Sequence, residues 1–254
     1  MCLIAFAYKI HPVYDLVLIA NRDEFYARPT REAMFWSEEG FPDLLAGKDM
    51  EAGGTWMGIT QTGKWAAVTN YRDISNIKEN APSRGNLVLD YLKGNNSAQN
   101  YLENIHNKAD SYNGFNLLIG EEENVYYYSN QTHKITVVQP GIYSLSNALL
   151  NTHWPKSDTA KKNLQTCIAN NTLDKTSLFA ILTDFEKAPE KKLPHTGLPA
   201  EMEKELSSIF IKTQNYGTRS STLLLKEKSG KASFIERLYN NGLVTDFKEK
   251  AFRI

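Results

Sequence analysis

Apolar positions along this chain change their period several times, and each change marks an element. Cys2 to Ile10 runs in blocks of β-formers, His11-Pro12 breaks it, and Tyr14 to Ala20 is β-like again, so the two predict a hairpin. A charged string follows, Asn21-Arg22-Asp23-Glu24, and then an aromatic stretch from Phe25 to Trp36 interrupted by Pro29. Gly53 to Ile59 and Lys64 to Tyr71, joined around Thr62-Gly63, predict a second hairpin. Helical spacing begins after Pro82, where Leu87, Val88, Tyr91 and Leu92 share a face, and recurs over Ala98 to His106. The chain then returns to β at Phe115 to Gly120, Val125 to Tyr128, Ile135 to Val138 and Ile142 to Leu145, with the punctuation of a meander. A second helical block takes in Leu164, Cys167 and Ile168, then Leu178 to Leu182, then Met202 to Leu206. Lys187 to Leu198, with Pro189, Pro194 and Gly197, predicts a loop. Ile209 to Ile211, Ser221 to Lys226, Ser233 to Tyr239 and Phe247 to Phe252 close the chain as strands.

Strands and helices in that block order predict an α+β protein: two antiparallel sheets stacked between outer helices, a four-layer αββα sandwich. Two adjacent α+β lobes would give the same order. With no internal repeat and no low-complexity tract to mark a linker, residues 1–254 read as a single domain.

Composition narrows the function classes. Among 254 residues, 29 basic and 29 acidic side chains cancel to zero net charge, so there is no basic field to hold a phosphate backbone and nucleic acid is not expected as a partner. The longest apolar runs, Leu3 to Ala7 and Leu16 to Ala20, fall far short of the roughly 20 residues of a spanning helix, so no transmembrane segment is expected. Two cysteines and the absence of a basic-then-apolar leader argue against a secreted disulfide scaffold and for a cytoplasmic protein. The Asn-x-Ser/Thr matches at Asn95, Asn130 and Asn170 then read as chance.

Which cysteine sits where matters more than the count. Cys167 falls with Leu164 and Ile168 on a helix and reads as core. Cys2 follows a methionine that aminopeptidases remove before small residues, and removal leaves a thiol and a free α-amine on one residue. An α-amine with a reference pKa near 8 can take the proton of a thiol near 8.5, so no histidine partner is needed. The five histidines are scattered and suggest neither a Cys/His pair nor a metal site. If Met1 is retained, the Cys2 nitrogen is an amide and this chemistry is closed. The alternative is that Cys2 is a small hydrophobe opening a buried strand.

Polar residues recur at the expected strand ends: Asn21-Arg22-Asp23-Glu24, Thr69-Asn70-Tyr71-Arg72, Ser146-Asn147 and Tyr216 to Thr222. A nucleophile of this kind needs an acceptor for its amine and donors for an oxyanion, and those ends offer both. Each also has a plain structural reading. Arg22, Asp23 and Glu24 would form a solvated turn, Asn70 and Asn147 strand caps, Arg219 a surface residue, and Gly53-Gly54 a tight turn.

The Met-Cys start, the Asn21-Arg22-Asp23-Glu24 string, Gly53-Gly54-Thr55-Trp56, Thr69-Asn70-Tyr71-Arg72, Ser83-Arg84-Gly85, Leu145-Ser146-Asn147 and Tyr216 to Thr222 together resemble the NRDE family, also called the transport and Golgi organisation 2 family. The resemblance runs from residue 2 to about residue 226. That family is similar in turn to the N-terminal nucleophile hydrolases of the choloylglycine hydrolase and penicillin V acylase type, which implies the αββα fold. It implies Cys2 as nucleophile, Asp23 as holder of its amine, Asn70 and Asn147 as oxyanion or amine-orienting groups, and Arg219 as the arginine near the nucleophile. Those hydrolases carry a further arginine three residues before the aspartate; here that position is Ala20, and Arg22 is the nearest arginine.

The implied activity is hydrolysis of a C–N amide bond in a small molecule with a hydrophobic acyl portion, with no metal or organic cofactor. Arg22, Arg72 or Arg219 would meet any acidic group on the substrate, and Trp56 belongs to a set of aromatics suited to lining an acyl pocket. The competing function is a non-catalytic carrier of haem, acyl-coenzyme A or another lipid-like ligand on the same fold.

Overall fold

In the computed structural model the described residues are 2–121 and 123–254, with Cys2 described through its backbone. They form two compact units: Arg28–Gln139 is one, and the chain up to Ala27 together with Pro140–Ile254 is the other.

β1 (Cys2–Tyr8) and β2 (Tyr14–Phe25) make the expected hairpin, in register from Tyr8 opposite Leu16 to Cys2 opposite Arg22. β2 continues past Ala20 through the charged string, so Asn21, Arg22 and Asp23 are buried strand residues and not a solvated turn.

The chain then builds the whole of its middle unit. β3 (Thr30–Trp36), β4 (Phe41–Asp49), β5 (Met57–Thr60) and β6 (Trp65–Asn70) lead into the helices α1 (Gly85–Lys93) and α2 (Ala98–His106). β7 (Phe115–Glu121), β8 (Asn124–Ser129) and β9 (Lys134–Val137) complete a seven-stranded antiparallel meander, each strand paired with its neighbour in sequence. Leu87, Val88, Tyr91 and Leu92 of α1 and Tyr101, Leu102 and Ile105 of α2 cover Ala66, Val68, Leu117 and Ile119. Those sheet residues are two apart on their strands, so the helices cover one face.

Two sequence motifs form one joint in this unit. Gly54 lies against the start of α1, where a Cβ would come within 2.7 Å of the Gly85 carbonyl carbon and 3.0 Å of the Asn86 nitrogen. All of the obstructing atoms are backbone, so a substitution must push the helix away. Gly54→Ala is therefore expected to cost about 1–3 kcal/mol in urea unfolding. Gly53 has a φ of 75° and open space around it, so Gly53→Asn, which tolerates that region, serves as the mild control.

The flanking unit resumes with β10 (Gly141–Leu145), which leaves the expected meander and pairs with β1, Leu145 opposite Ile4. The helices α3 (Pro155–Ala169), α4 (Lys175–Leu182) and α5 (Ala200–Glu205) follow. β11 (Tyr216–Glu227), β12 (Ala232–Asn240) and β13 (Leu243–Arg253) complete a six-stranded antiparallel sheet in the order β10-β1-β2-β11-β12-β13. Ala160 and Leu164 of α3 and Leu178, Phe179 and Leu182 of α4 pack on Leu3, Ala5, Val17, Ile19 and Leu223, again one face of the sheet. Cys167 is partly buried against this core.

Ile209 to Ile211, expected as a strand, is a buried irregular segment. Its backbone is satisfied piecemeal: Phe210 N–H donates to the Asp184 carbonyl, Ile211 N–H to the Thr218 hydroxyl, and the Ile209 carbonyl accepts from Asn21. The protein is thus α+β, with two antiparallel sheets that each carry helices on one face. Among the described residues, no helix is long and apolar enough to cross a membrane.

Candidate active site

The start of the chain lies at the end of β1 where the six-stranded sheet gathers its polar residues. Cys2 is opposite Arg22, and Arg22 is opposite Ser220 of β11, while the next residue out, Asp23, is opposite Thr218. Two residues of β11 therefore advance for one of β2, and Arg219 is the extra residue of a β-bulge. Without it Thr218 and Ser220 would project to the same face. With it, Thr218 serves Asp23 and Ser220 shares the face of Arg22.

Asp23 is completely enclosed. The Thr218 hydroxyl donates to its Oδ1 at 2.7 Å and accepts from the Ile211 N–H at 2.9 Å, so the direction of that bond is fixed. The Tyr216 hydroxyl donates to the Asp23 carbonyl at 3.1 Å, pinning the same strand end. Burial pushes the Asp23 carboxyl above the ordinary carboxylate range, and the Lys156 ammonium, the Thr218 hydroxyl and the Arg22 guanidinium act in the opposite direction. Continuing the β1–β2 register past Cys2 opposite Arg22 brings Asp23 beside the nitrogen end of Cys2.

Asn147 lies two residues beyond Leu145, the partner of Ile4, and so falls at the same end of the sheet as Cys2. It is buried, and its Oδ1 accepts from the Ser146 hydroxyl at 3.3 Å. The Arg219 guanidinium donates to the carbonyls of Phe25 and Tyr26, each at 2.9 Å, bracing the end of β2. Burial first, and then the neighbouring Arg22 guanidinium, hold its pKa below the usual arginine value. Arg22 itself stands 4.0 Å from the Glu24 carboxylate.

The remaining expected site residues belong to the other unit. Asn70 ends β6 opposite Phe115, Arg72 follows two residues later, and both are half-buried. Trp56 precedes β5, with its indole over Gly47, where no side chain fits. Of the residues expected in one site, the structure holds Arg22, Asp23, Asn147 and Arg219 with the backbone of Cys2 in one unit, and Trp56, Asn70 and Arg72 in the second. The thiol of Cys2 and the whole of Met1 lie outside the described atoms.

Sequence reasoning missed Lys156. It is 4% exposed, in the first turn of α3, with its ammonium on the Leu206 carbonyl at 3.0 Å. The signal was present: a lysine in a first turn opposes the helix dipole, which favours acids there.

The solved structure of the Caenorhabditis elegans N-acylethanolamine-hydrolyzing acid amidase ortholog aligns with a TM-score of 0.53, covering 88% of this chain and 92% of that one at 11% identity. The chain therefore shares the overall fold of that solved structure. The family model "Transport and Golgi organisation 2" matches residues 1–241. The Transport and Golgi organization protein 2 homologs of Bos taurus and Homo sapiens are 36% and 35% identical over 93% of this chain and 92% of their own lengths. This chain belongs to the Transport and Golgi organisation 2 family.

Proposed function

We propose that this protein is a cytoplasmic N-terminal cysteine amidohydrolase acting on a small-molecule amide with a hydrophobic acyl portion. After removal of Met1, the Cys2 sulfur attacks the amide carbonyl carbon and its proton passes to the Cys2 α-amine. Asp23 holds that amine, and Asn147 stabilises the oxyanion. The amine then gives the proton to the leaving nitrogen as the C–N bond breaks, leaving a thioester on Cys2. Water hydrolyses the thioester to a carboxylic acid and restores the thiol. Arg219 favours the thiolate, and Arg22 contacts the substrate.

The observation that carries this reading is the enclosed Asp23 carboxylate beside the nitrogen end of Cys2, held by Thr218 and balanced by Lys156. Burying a carboxylate is costly even when it is paired, and groups perturbed in this way gather at functional positions. The similarity of the fold to an amidase supports the same reaction class.

The test begins with the intact mass of the native protein, which is expected to lack Met1. Incubation with 7-amino-4-methylcoumarin amides of short to long fatty acids should then release coumarin, and Cys2→Ala should be slower by roughly a thousandfold or more. Turnover that persists in the alanine variant overturns the proposal. Retained Met1, with a melting temperature raised by haem or an acyl-coenzyme A, would instead establish the carrier function.

A further inference from the structure

The bulge at Arg219 has a consequence for the face that Arg22 occupies. Directly opposed residues on neighbouring strands project to the same side, so Arg22 and Ser220 form part of one row that begins at Cys2. Ser220 is 1% exposed, and its hydroxyl is buried with no hydrogen-bond partner among the described residues. The hydroxyls of Thr218 and Ser221 on either side are engaged, Thr218 with Asp23 and Ser221 with Asn21. A buried hydroxyl left unmatched is destabilising, so alanine would be the better residue unless a ligand completes it.

Position limits what that ligand atom can be. Adjacent strands lie about 4.8 Å apart, so Ser220 is roughly 10 Å across the sheet from Cys2, with Arg22 between them. That is far beyond the ~3 Å reach of an oxyanion donor. The atom that meets Ser220 must therefore belong to a part of the substrate several bonds from the carbonyl under attack. A guanidinium such as that of Arg22 has the planar fork that suits a carboxylate. Arg219 lies close enough for the two guanidinium charges to repel, with Glu24 offsetting part of the excess.

We infer that Ser220 and Arg22 form a subsite for a carboxylate at the far end of the substrate's acyl chain. This rests on the amidohydrolase reading and names its substrate class: an amide whose apolar acyl chain ends in an acid. Ser220 is then a substrate-positioning residue, remote from the reacting atoms.

The test compares amides of 7-amino-4-methylcoumarin in matched pairs, glutaryl against pentanoyl and suberoyl against octanoyl. In the wild type, the acid-ended member of at least one pair is expected to show the higher kcat/KM, by about tenfold or more, as a hydrogen bond to a charged group provides. Ser220→Ala should remove most of that preference through KM, with a melting temperature equal to or above that of the wild type. Equal kcat/KM within every pair overturns the subsite, as does a preference that survives in Ser220→Ala. A lowered melting temperature in Ser220→Ala also overturns it, since that marks the hydroxyl as structural. A wild type with no Cys2-dependent turnover of any of these amides overturns the amidohydrolase reading, and the subsite with it.

Discussion

Asn21→Ala is expected to destabilise this chain by about 3–5 kcal/mol, the sum of several buried groups losing partners at roughly 1–3 kcal/mol each with partial relaxation. Asn21 is 1% exposed, and its Nδ2 donates to the Leu182 carbonyl at 2.8 Å and to the Ile209 carbonyl at 3.0 Å. Its Oδ1 accepts from the Ser221 hydroxyl, which in turn accepts from Tyr239 at 3.0 Å. Leu182 ends α4, where carbonyls have no partner within the helix, and Ile209 lies in the segment that has no ladder. One amide thus closes a helix end and an irregular segment onto the sheet. Asn21→Asp keeps the shape and reverses the donor, so a carboxylate would face two carbonyl oxygens. Its folded pKa must rise, so the variant is most stable below the ordinary carboxylate value and loses stability as pH rises through the raised one. Urea unfolding at pH 4 and pH 7 checks both variants. A loss under about 1 kcal/mol for Asn21→Ala would show that water or repacking replaces the amide. The first residue of the charged string is on this account structural, while its neighbours face the site.

Local pattern made part of this architecture legible and long-range pairing concealed the rest. The β1–β2 hairpin follows from alternation within a short stretch, and α2 has the expected bounds because Ser97 caps it, its hydroxyl accepting from the Asn100 N–H. β4 escaped notice because Pro42 and Asp43 interrupt its apolar run at the start. β10 reads correctly as a strand, yet its partner is β1 at the opposite end of the chain, which no periodicity reports. Ile209 to Ile211 has strand composition but takes its hydrogen bonds from Asn21 and Thr218, so burial and ladder came apart. In the site, Asp23 was visible through motif resemblance. The bulge at Arg219 was not, because one inserted residue changes which face each hydroxyl serves without altering composition. Lys156 enters from a helix far along the chain, and its burial is a tertiary fact.

That lysine carries the second large expectation. Lys156→Met should cost about 3–5 kcal/mol near neutral pH, because it leaves the enclosed Asp23 carboxylate without its principal opposing charge. Burial already raises the Asp23 pKa and Lys156 lowers it, so removing the ammonium raises it further. A carboxyl whose folded pKa is raised contributes full stability below its unfolded pKa and loses it as pH rises through the folded one. The penalty of Lys156→Met should therefore be small in acid and grow with pH, and adding Asp23→Asn should remove both the growth and most of the penalty. Denaturant unfolding of the two single variants and the double variant across pH, read as a cycle, measures the coupling. A pH-independent penalty would mean that Lys156 acts through its bond to the Leu206 carbonyl alone. Activity gives a second, independent reading of the same pair. Asp23→Asn should slow acylation by about 10²–10⁴-fold, as loss of an acid–base positioning group does, since a neutral amide holds the Cys2 ammonium poorly. Lys156→Met retains the carboxyl, so its rate should fall only where Asp23 is protonated, shifting the acidic limb of the pH–rate profile upward. An Asp23→Asn variant as fast as the wild type would remove Asp23 from the mechanism and leave its burial to be explained by folding alone.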